Sequence, residues 1–164
     1  MREHIGLYRG KRVDNGEWVQ GYLYEHEPPL QCLVPEGYVP KKSKWYILKT
    51  AFADWNMPRQ VEFIEVDPDT VGECTGLTDK NGKLIFEGDK LAPFYDDIDK
   101  MVVEFHYGCF MLCLYAERGY ITESGDWCNE GNYGLTECEP LESYGEDIEI
   151  IGNIHDNKEL LNEN

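Results

Sequence analysis

Apolar and polar residues alternate with a period of two along several short stretches of this chain. The clearest case is the segment at residues 17–25, which follows a turn signal at Asp14-Asn15-Gly16. One face of this segment would hold Trp18, Gln20, Tyr22 and Tyr24, and the other Val19, Gly21 and Leu23. Because side chains alternate between the two faces of an extended chain, the segment predicts a strand.

Other short apolar segments, bounded by proline, glycine or acidic residues, predict further strands. They lie at residues 30–34, 45–48, 61–66 and 147–155. Residues 61–66 carry apolar side chains on both faces, which predicts a strand covered on both sides for part of its length. Gly152 is expected to form a bulge in the last strand. Beyond it, Asp156 or Asn157 is predicted to cap a short helical turn.

The longest apolar run spans residues 100–116. Gly108 and the many β-branched and aromatic residues favour two strands, or one bent strand, over a helix. Residues 117–147 are polar, acidic and rich in glycine, which predicts a long surface loop. Five or more short strands joined by turns indicate a mainly β protein, built as a small barrel or a rolled-up sheet.

Residues 75–91 contain two turn signals separated by a short apolar segment. Asp79-Lys80-Asn81-Gly82 predicts a type I turn that ends in a glycine with positive φ. Glu87-Gly88-Asp89 predicts a second bend, in which the Asp89 carboxylate accepts hydrogen bonds from loop amides. Neither turn requires a ligand to explain its composition.

Composition and charge narrow the class of protein further. The chain has 164 residues, of which 41% are apolar and 13% aromatic, enough to form a core. It has 15 basic and 32 acidic residues, a net charge of −17, and the acidic excess is largest toward the C-terminus. Because such a surface repels phosphate groups, direct nucleic-acid binding is not expected. With neither a membrane-length apolar run nor a signal-peptide core, the sequence predicts a cytoplasmic protein without membrane contact.

The cysteines and histidines show no metal-ligand spacing. The closest pair, Cys109 and Cys113, would lie about 13 Å apart on one strand. His106 lies within an apolar run and is predicted to be a packed core or barrel-face residue rather than a ligand. Free thiols, no metal and no cofactor are therefore expected. The six cysteines are Cys32, Cys74, Cys109, Cys113, Cys128 and Cys138.

Clustered carboxylates leave an alternative open, a small carboxylate- or metal-dependent enzyme. It requires at least two carboxylates to converge in one cleft. The acidic segment at residues 95–100 does not fit an EF-hand loop, because Val102 and Gly108 occupy the positions of the required glycine and glutamate. No catalytic residue is assigned. The aspartates in question are Asp79, Asp89, Asp96, Asp97 and Asp99.

Three segments together carry a family resemblance. Residues 65–91 contain Thr-Val-Gly, Thr-Gly-Leu, Asp-Lys-Asn-Gly and Ile-Phe-Glu-Gly-Asp, and resemble the signature of the YopX family of phage and prophage proteins. Residues 8–25 and 150–161 resemble the opening and closing segments of that family. Glu73 and Cys74 depart from its pattern, which has glutamine and an aromatic residue there. The signature residues here are Thr75, Gly76, Leu77, Asp79, Asn81, Gly82, Glu87, Gly88, Asp89, Gly152 and Asn153.

The resemblance implies an SH3-like β-barrel in residues 70–164, with an N-terminal β-rich segment, residues 1–69, packed against it. It implies no reaction. We therefore expect a phage- or prophage-derived, non-enzymatic module that binds an unknown protein partner, and an exposed edge strand would also permit a homo-oligomer. A further alternative is an acidic DNA mimic that binds a basic host protein. Aromatic residues proposed for the binding surface are Trp45, Trp55, Tyr95 and Trp127.

Overall fold

The computed structural model describes residues 6–27, 42–50, 60–92, 100–121, 127–144 and 148–156, with only the backbone for residues 100, 116–121 and 127–137. The protein is mainly β, and the chain divides into two compact units, residues 1–74 and 75–164. The strand predicted at residues 30–34 and the helical turn predicted after Asp156 lie outside the described residues. No helix in the described part of the chain is long and apolar enough to cross a membrane.

The first unit is an antiparallel sheet in which β4, β3, β2, β1 and β5 are neighbours in that order. Strand β5 begins in this unit, where Gly72 and Glu73 pair with β1. The predicted strands in residues 17–25, 45–48 and 61–66 are confirmed. The strands are β1 Leu7–Lys11, β2 Trp18–His26, β3 Lys44–Thr50, β4 Val61–Val66 and β5 Gly72–Thr78.

The end of β1 returns to β4, so that the first sheet curls. Arg12 forms a bridge with Val66, and the Val13 amide donates to the Glu65 carbonyl at 3.1 Å. Thr70 fixes the same corner, since its hydroxyl accepts from the Lys11 amide at 2.9 Å. The C-terminal half of β4 therefore has backbone hydrogen-bond partners on both edges, β3 on one and the end of β1 on the other.

One face of the first sheet is buried. Its core is Val19, Ile47, Ile64 and Val66, against which Tyr8, Leu23, Trp45 and Val71 pack. On the opposite face of β4, Val61 is 54% and Phe63 is 58% exposed. The prediction that β4 is covered on both sides for part of its length is therefore wrong. Its apolar residues form a buried face with Ile64 and Val66 and an exposed face with Val61 and Phe63.

The second unit contains the rest of β5, strand β6 and an antiparallel five-stranded sheet. In that sheet β10, β9, β8, β7 and β11 are neighbours in that order. A 3₁₀ helix, Leu141–Tyr144, follows β10. The strands are β6 Leu84–Phe86, β7 Asp89–Leu91, β8 Lys100–His106, β9 Cys109–Ile121, β10 Trp127–Pro140 and β11 Ile150–Asn153. The core is Ile85, Leu91, Met101, Val103, Leu112, Leu114, Leu141 and Ile148.

The apolar run at residues 100–116 forms two strands, as predicted. Tyr107 and Gly108 join β8 to β9 with φ angles of 53° and 84°. Positive φ at both positions is typical of a two-residue type I′ hairpin turn. The turn sets the register that pairs His106 with Cys109 and Glu104 with Met111.

The surface loop predicted at residues 117–147 is wrong. Strand β9 continues to Ile121, and β10 runs back from Trp127 to Pro140. Register shifts at Asn129–Asn132 and Leu135–Glu137 interrupt the pairing. The polar composition of this segment predicts a loop. Backbone hydrogen bonds can form a ladder whether the side chains are polar or apolar, and the two bulges accommodate the extra residues.

Gly82 provides a test of the first predicted turn. Its φ is +78°, and a Cβ built there meets no atom within 4 Å. The cost of Gly82→Val is therefore backbone strain alone, and we expect it to lower the free energy of unfolding by about 1–2 kcal/mol. Gly82→Asn is the control, with a smaller loss, because asparagine tolerates positive φ. Urea denaturation measures both, and an unchanged midpoint for the valine variant would contradict the turn.

Candidate functional site

The first group of signature residues builds the turn between β5 and β6. The Gly82 amide donates to the Asp79 carbonyl at 2.9 Å. Asp79 Oδ1 accepts from the amides of Asn81 and Lys83, each at 2.9 Å. Before the turn, the Thr75 hydroxyl donates to the Ile85 carbonyl at 2.9 Å. Gly76 has a φ of +79°, and Leu77 packs against the core of the second unit.

Asp79 also links its turn to β11. Its Oδ2 accepts from the Ile150 amide at 3.4 Å, although 71 residues separate the two in sequence. Burial raises the pKa of this carboxyl, but the hydrogen bonds from Lys83, Ile150 and Asn81 outweigh burial, so its pKa lies below the usual 3.8. Asp79 is therefore a buried, ionised group that organises backbone.

The second group builds the bend between β6 and β7. Gly88 has a φ of +80°, and its amide donates to the Val103 carbonyl at 2.8 Å. Asp89 is 1% exposed, and its Oδ2 accepts from the amide of Phe86 at 2.8 Å, so the predicted bond to a loop amide is made instead to the last residue of β6. Glu87 is half-buried in the same bend.

The last two signature residues lie in β11. A register shift between Ile150 and Gly152 gives the bulge predicted in this strand. Asn153 Oδ1 accepts from the amides of His155 and Asp156 at 2.8 Å and 2.9 Å. In the part of the chain described, Asp79 and Asp89 thus serve their own turns, and the signature has a structural explanation. Asp96, Asp97 and Asp99 lie outside that part.

The first sheet presents an exposed apolar surface that we call the aromatic face. Its members sit side by side in the register, with Tyr22 opposite Leu48, Tyr24 opposite Tyr46, and Leu48 opposite Phe63. Tyr22 is 63% and Tyr24 is 42% exposed. Contiguous exposed apolar surface of this kind marks interaction sites. The aromatic face consists of Tyr22, Tyr24, Tyr46, Leu48, Val61 and Phe63.

Phe63 is at the centre of the ring contacts on the aromatic face. Its ring meets Tyr24 edge to face, with centroids 6.1 Å apart and an interplanar angle of 83°. It meets Tyr46 in the same way at 6.3 Å and 79°. Two aromatic rings packed edge to face contribute more stabilisation than the burial of their surface area alone would give. The three rings therefore support one another while remaining open to a partner.

Cations already lie on an aromatic ring at the border of this face. The Arg9 guanidinium carbon is 4.9 Å, and the Lys11 ammonium 5.5 Å, from the centre of the Trp18 ring. Lys44 Nζ and Glu65 Oε2 form an exposed ion pair at 2.7 Å, and both residues line the same pocket as Lys11. The rim thus combines aromatic rings with charges of both signs.

Of the aromatic residues predicted for a binding surface, one has a described side chain, and it does not lie on the aromatic face. Trp45 packs against the core on the opposite face of β3, and is partly buried. Trp55 and Tyr95 lie outside the described residues, and only the backbone of Trp127 is described. The sequence does contain the relevant signal, because Tyr22 and Tyr24 alternate with Val19, Gly21 and Leu23. Alternation by itself, however, predicts a strand and not which of its faces stays exposed.

A second group of side chains meets on the sheet of the second unit, and we call it the thiol–histidine cluster. Glu104, His106 and Cys113 each place a potential ligand atom within 4.8 Å of the others. His106 Nε2 lies 2.7 Å from Glu104 Oε2. Cys113 and Cys138 are directly paired in the ladder, with their sulfurs 2.6 Å apart. The cluster consists of Glu104, His106, Cys113 and Cys138.

Burial and negative charge govern titration in this cluster. Burial raises the pKa of the Cys113 thiol, and the hydrogen bond with Cys138 and the Glu104 charge raise it further. Burial also raises the pKa of Tyr115, whose hydroxyl donates to Glu104 Oε1 at 2.5 Å. Cys113 is therefore a neutral thiol at pH 7, unsuited to act as an unassisted nucleophile. His106 is half-buried and bonded to Glu104, so it is not the packed core residue that was one of the two predicted placements.

Within the residues that the structure describes, fold and sites define an all-β protein of two antiparallel sheets, with turns built by buried aspartates and with an exposed aromatic face. A family model described as YopX protein matches residues 36–162. The chain belongs to the YopX family. Among curated proteins, no sequence match is found.

Proposed function

We propose that this protein is a non-enzymatic binding module and that its aromatic face contacts a protein partner with a basic, arginine- or lysine-bearing surface. The observation that carries the proposal is the exposure of Tyr22, Tyr24 and Phe63 on one continuous face. Tyrosine and phenylalanine supply large contact areas with few rotatable bonds, and aromatic residues dominate binding energy at protein interfaces.

Charge supports a basic partner. The net charge is −17, and both units contribute. Residues 1–74 contain nine basic and twelve acidic residues, whereas residues 75–164 contain six basic and twenty acidic ones. A field of this sign attracts positively charged surfaces and accelerates their association.

Ring chemistry supports the same partner. The stacking of Arg9 and Lys11 on Trp18 shows that cations are accommodated beside this sheet's aromatic rings. The rings of Tyr24, Tyr46 and Phe63 offer the same negative faces to an incoming guanidinium. Aliphatic contact with Leu48 and Val61 would complement the cation–π contacts.

For the second unit we propose an SH3-like barrel, supported by its five antiparallel strands and by the 3₁₀ helix that follows β10. We also propose a phage or prophage origin, on the sequence resemblance, and a cytoplasmic location, since the sequence has no membrane-length apolar run. These proposals are independent of the partner's identity.

Peptide display tests the binding proposal even while the partner is unidentified. Random twelve-residue peptides are selected on the full-length chain, and each enriched peptide is then titrated against variants. We expect enriched sequences to combine arginine or lysine with apolar residues. We expect the double variant Tyr24→Ser, Phe63→Ser to bind them at least about 30-fold more weakly, the loss of a 2 kcal/mol hot spot.

The matched control for this selection is Tyr107→Asn, which removes an aromatic residue that is 97% exposed but lies in the second unit. It should bind the selected peptides as the wild type does. Failure to enrich any peptide, enrichment of acidic peptides, or equal binding to the double variant would each overturn the proposal. Concentration-dependent sedimentation, lost in the double variant, would instead assign the face to a second copy of the chain.

A further inference from the structure

The thiol–histidine cluster contains the donor types that zinc prefers. Cys113 and Cys138 supply sulfur, His106 an imidazole nitrogen, and Glu104 a carboxylate oxygen. Glu104, His106 and Cys113 supply three ligands that already lie within 4.8 Å of one another, and Cys138, in contact with Cys113, offers the fourth of a tetrahedral set. The ligands come from three neighbouring strands, β8, β9 and β10, and none of them follows a zinc-binding spacing in sequence.

We propose that Glu104, His106, Cys113 and Cys138 form a binding site for a zinc ion. This site goes beyond the proposed partner binding and does not rest on it, since the aromatic face belongs to the other unit. The four residues are held by the register of the type I′ hairpin and by the direct pairing of Cys113 with Cys138.

Two pairs of donor atoms in the cluster are closer together than they would be around a bound ion. Donor atoms around a tetrahedral zinc lie about 3.3–3.8 Å apart, from zinc–ligand bonds of about 2.0–2.3 Å. Here the two sulfurs are 2.6 Å apart, and His106 Nε2 is 2.7 Å from Glu104 Oε2. Each of these two pairs would have to separate by about 0.6–1.2 Å to admit the ion. The Cys138 sulfur would also have to move toward Glu104 and His106, because the group whose ligand atoms lie within 4.8 Å of one another is Glu104, His106 and Cys113.

Surrounding contacts favour the same arrangement. Tyr115 holds Glu104 Oε1, which leaves Oε2 turned toward His106, and such outer contacts orient metal ligands. Cys113 is fully buried, whereas the side chains of His106 and Glu104 are 42% and 30% exposed. The ion therefore has a path of entry from the His106 side. Zinc binding would release the two thiol protons, so the ion takes the place of those protons and the net charge of the site stays that of the Glu104 carboxylate.

Cobalt provides a direct probe, because Co²⁺ replaces Zn²⁺ in tetrahedral sites and absorbs visible light. The reduced, chelator-treated full-length chain is titrated with Co²⁺ alone and then with Zn²⁺. We expect one equivalent of Co²⁺ to produce intense tetrahedral bands and a sulfur-to-cobalt charge-transfer band, both abolished by one equivalent of Zn²⁺. Cys113→Ser and Cys138→Ser should each remove about half of the charge-transfer intensity, since each supplies one of two thiolates.

His106→Ala keeps the test decisive if a cysteine variant fails to fold, because His106 is partly exposed. We expect it to weaken Co²⁺ binding at least about tenfold. The matched control is Cys109→Ser, a cysteine of the same hairpin whose sulfur contacts Met111, and it should leave the spectrum unchanged. Octahedral spectra without charge transfer, equal loss in Cys109→Ser, or a Cys113–Cys138 disulfide that persists in reductant would overturn the proposal.

Discussion

Replacing Gly21 with alanine is expected to destabilise the first unit by about 3 kcal/mol or more. Gly21 lies on the buried face of β2, and an added Cβ would lie 2.3 Å from the Leu48 carbonyl oxygen and 2.8 Å from Ile47 Cγ2. The closer contact is with backbone, which cannot rotate away, so the β2–β3 pairing has to shift. Urea denaturation followed by tryptophan fluorescence measures the effect, since three of the four tryptophans lie in this unit.

Gly10→Ala is the matched control for that experiment. Gly10 lies in the same sheet, but the atom nearest to its added Cβ is Val66 Cβ at 3.1 Å, a side-chain atom. We expect a loss of less than about 1.5 kcal/mol, because a small shift relieves this contact. Equal stabilities for Gly21→Ala and wild type would show that β2 and β3 do not approach as closely as described.

Asp79→Ala should have the second largest effect, a loss of about 2–4 kcal/mol from the second unit. The variant removes the acceptor of hydrogen bonds from the amides of Asn81, Lys83 and Ile150, and bonds to a charged acceptor contribute about 1.5–3 kcal/mol each before water replaces some of them. Hydrogen exchange measures this directly, as faster exchange of the Lys83 and Ile150 amides. Asp69→Ala, at an exposed turn position, is the control and should change neither rate.

Asp79 also gives the second unit a defined pH dependence. Its pKa in the folded protein lies below the usual 3.8. The stabilisation that the ionised carboxylate contributes is therefore fully present above pH 3.8. It is lost as the pH falls through the lower pKa that the group has in the folded protein. Between pH 7 and pH 3 the wild type should lose more stability than Asp79→Asn. Parallel pH profiles for the two proteins would contradict this role of the carboxylate.

Local signals in the sequence are sufficient for much of the fold. Alternation in residues 17–25 identifies β2 and its two faces, and the Asp79–Gly82 pattern identifies a turn, because both depend on neighbouring residues alone. Composition is misleading at residues 117–147. The long β9–β10 ladder depends on pairing between distant segments, which local polarity does not reveal.

Neither functional surface could be predicted in full. The aromatic face needs the pairing of β2, β3 and β4, which brings Phe63 beside Tyr24 and Tyr46 across 39 and 17 positions of chain. The thiol–histidine cluster needs the register around Tyr107, a non-glycine residue with a φ of 53°. No sequence spacing relates His106 to Cys138. Each surface is created by strand pairing within its own sheet.

Photo-crosslinking in cells is a direct test of whether the aromatic face contacts a protein. One variant carries benzoylphenylalanine at position 63 and another carries it at position 107. Each variant is expressed in the organism that encodes the protein, and the cells are irradiated. If the aromatic face binds a basic partner, covalent adducts should form from position 63 to a protein of net positive charge, and none should form from position 107. Adducts from position 107 alone, or from neither position, would contradict it.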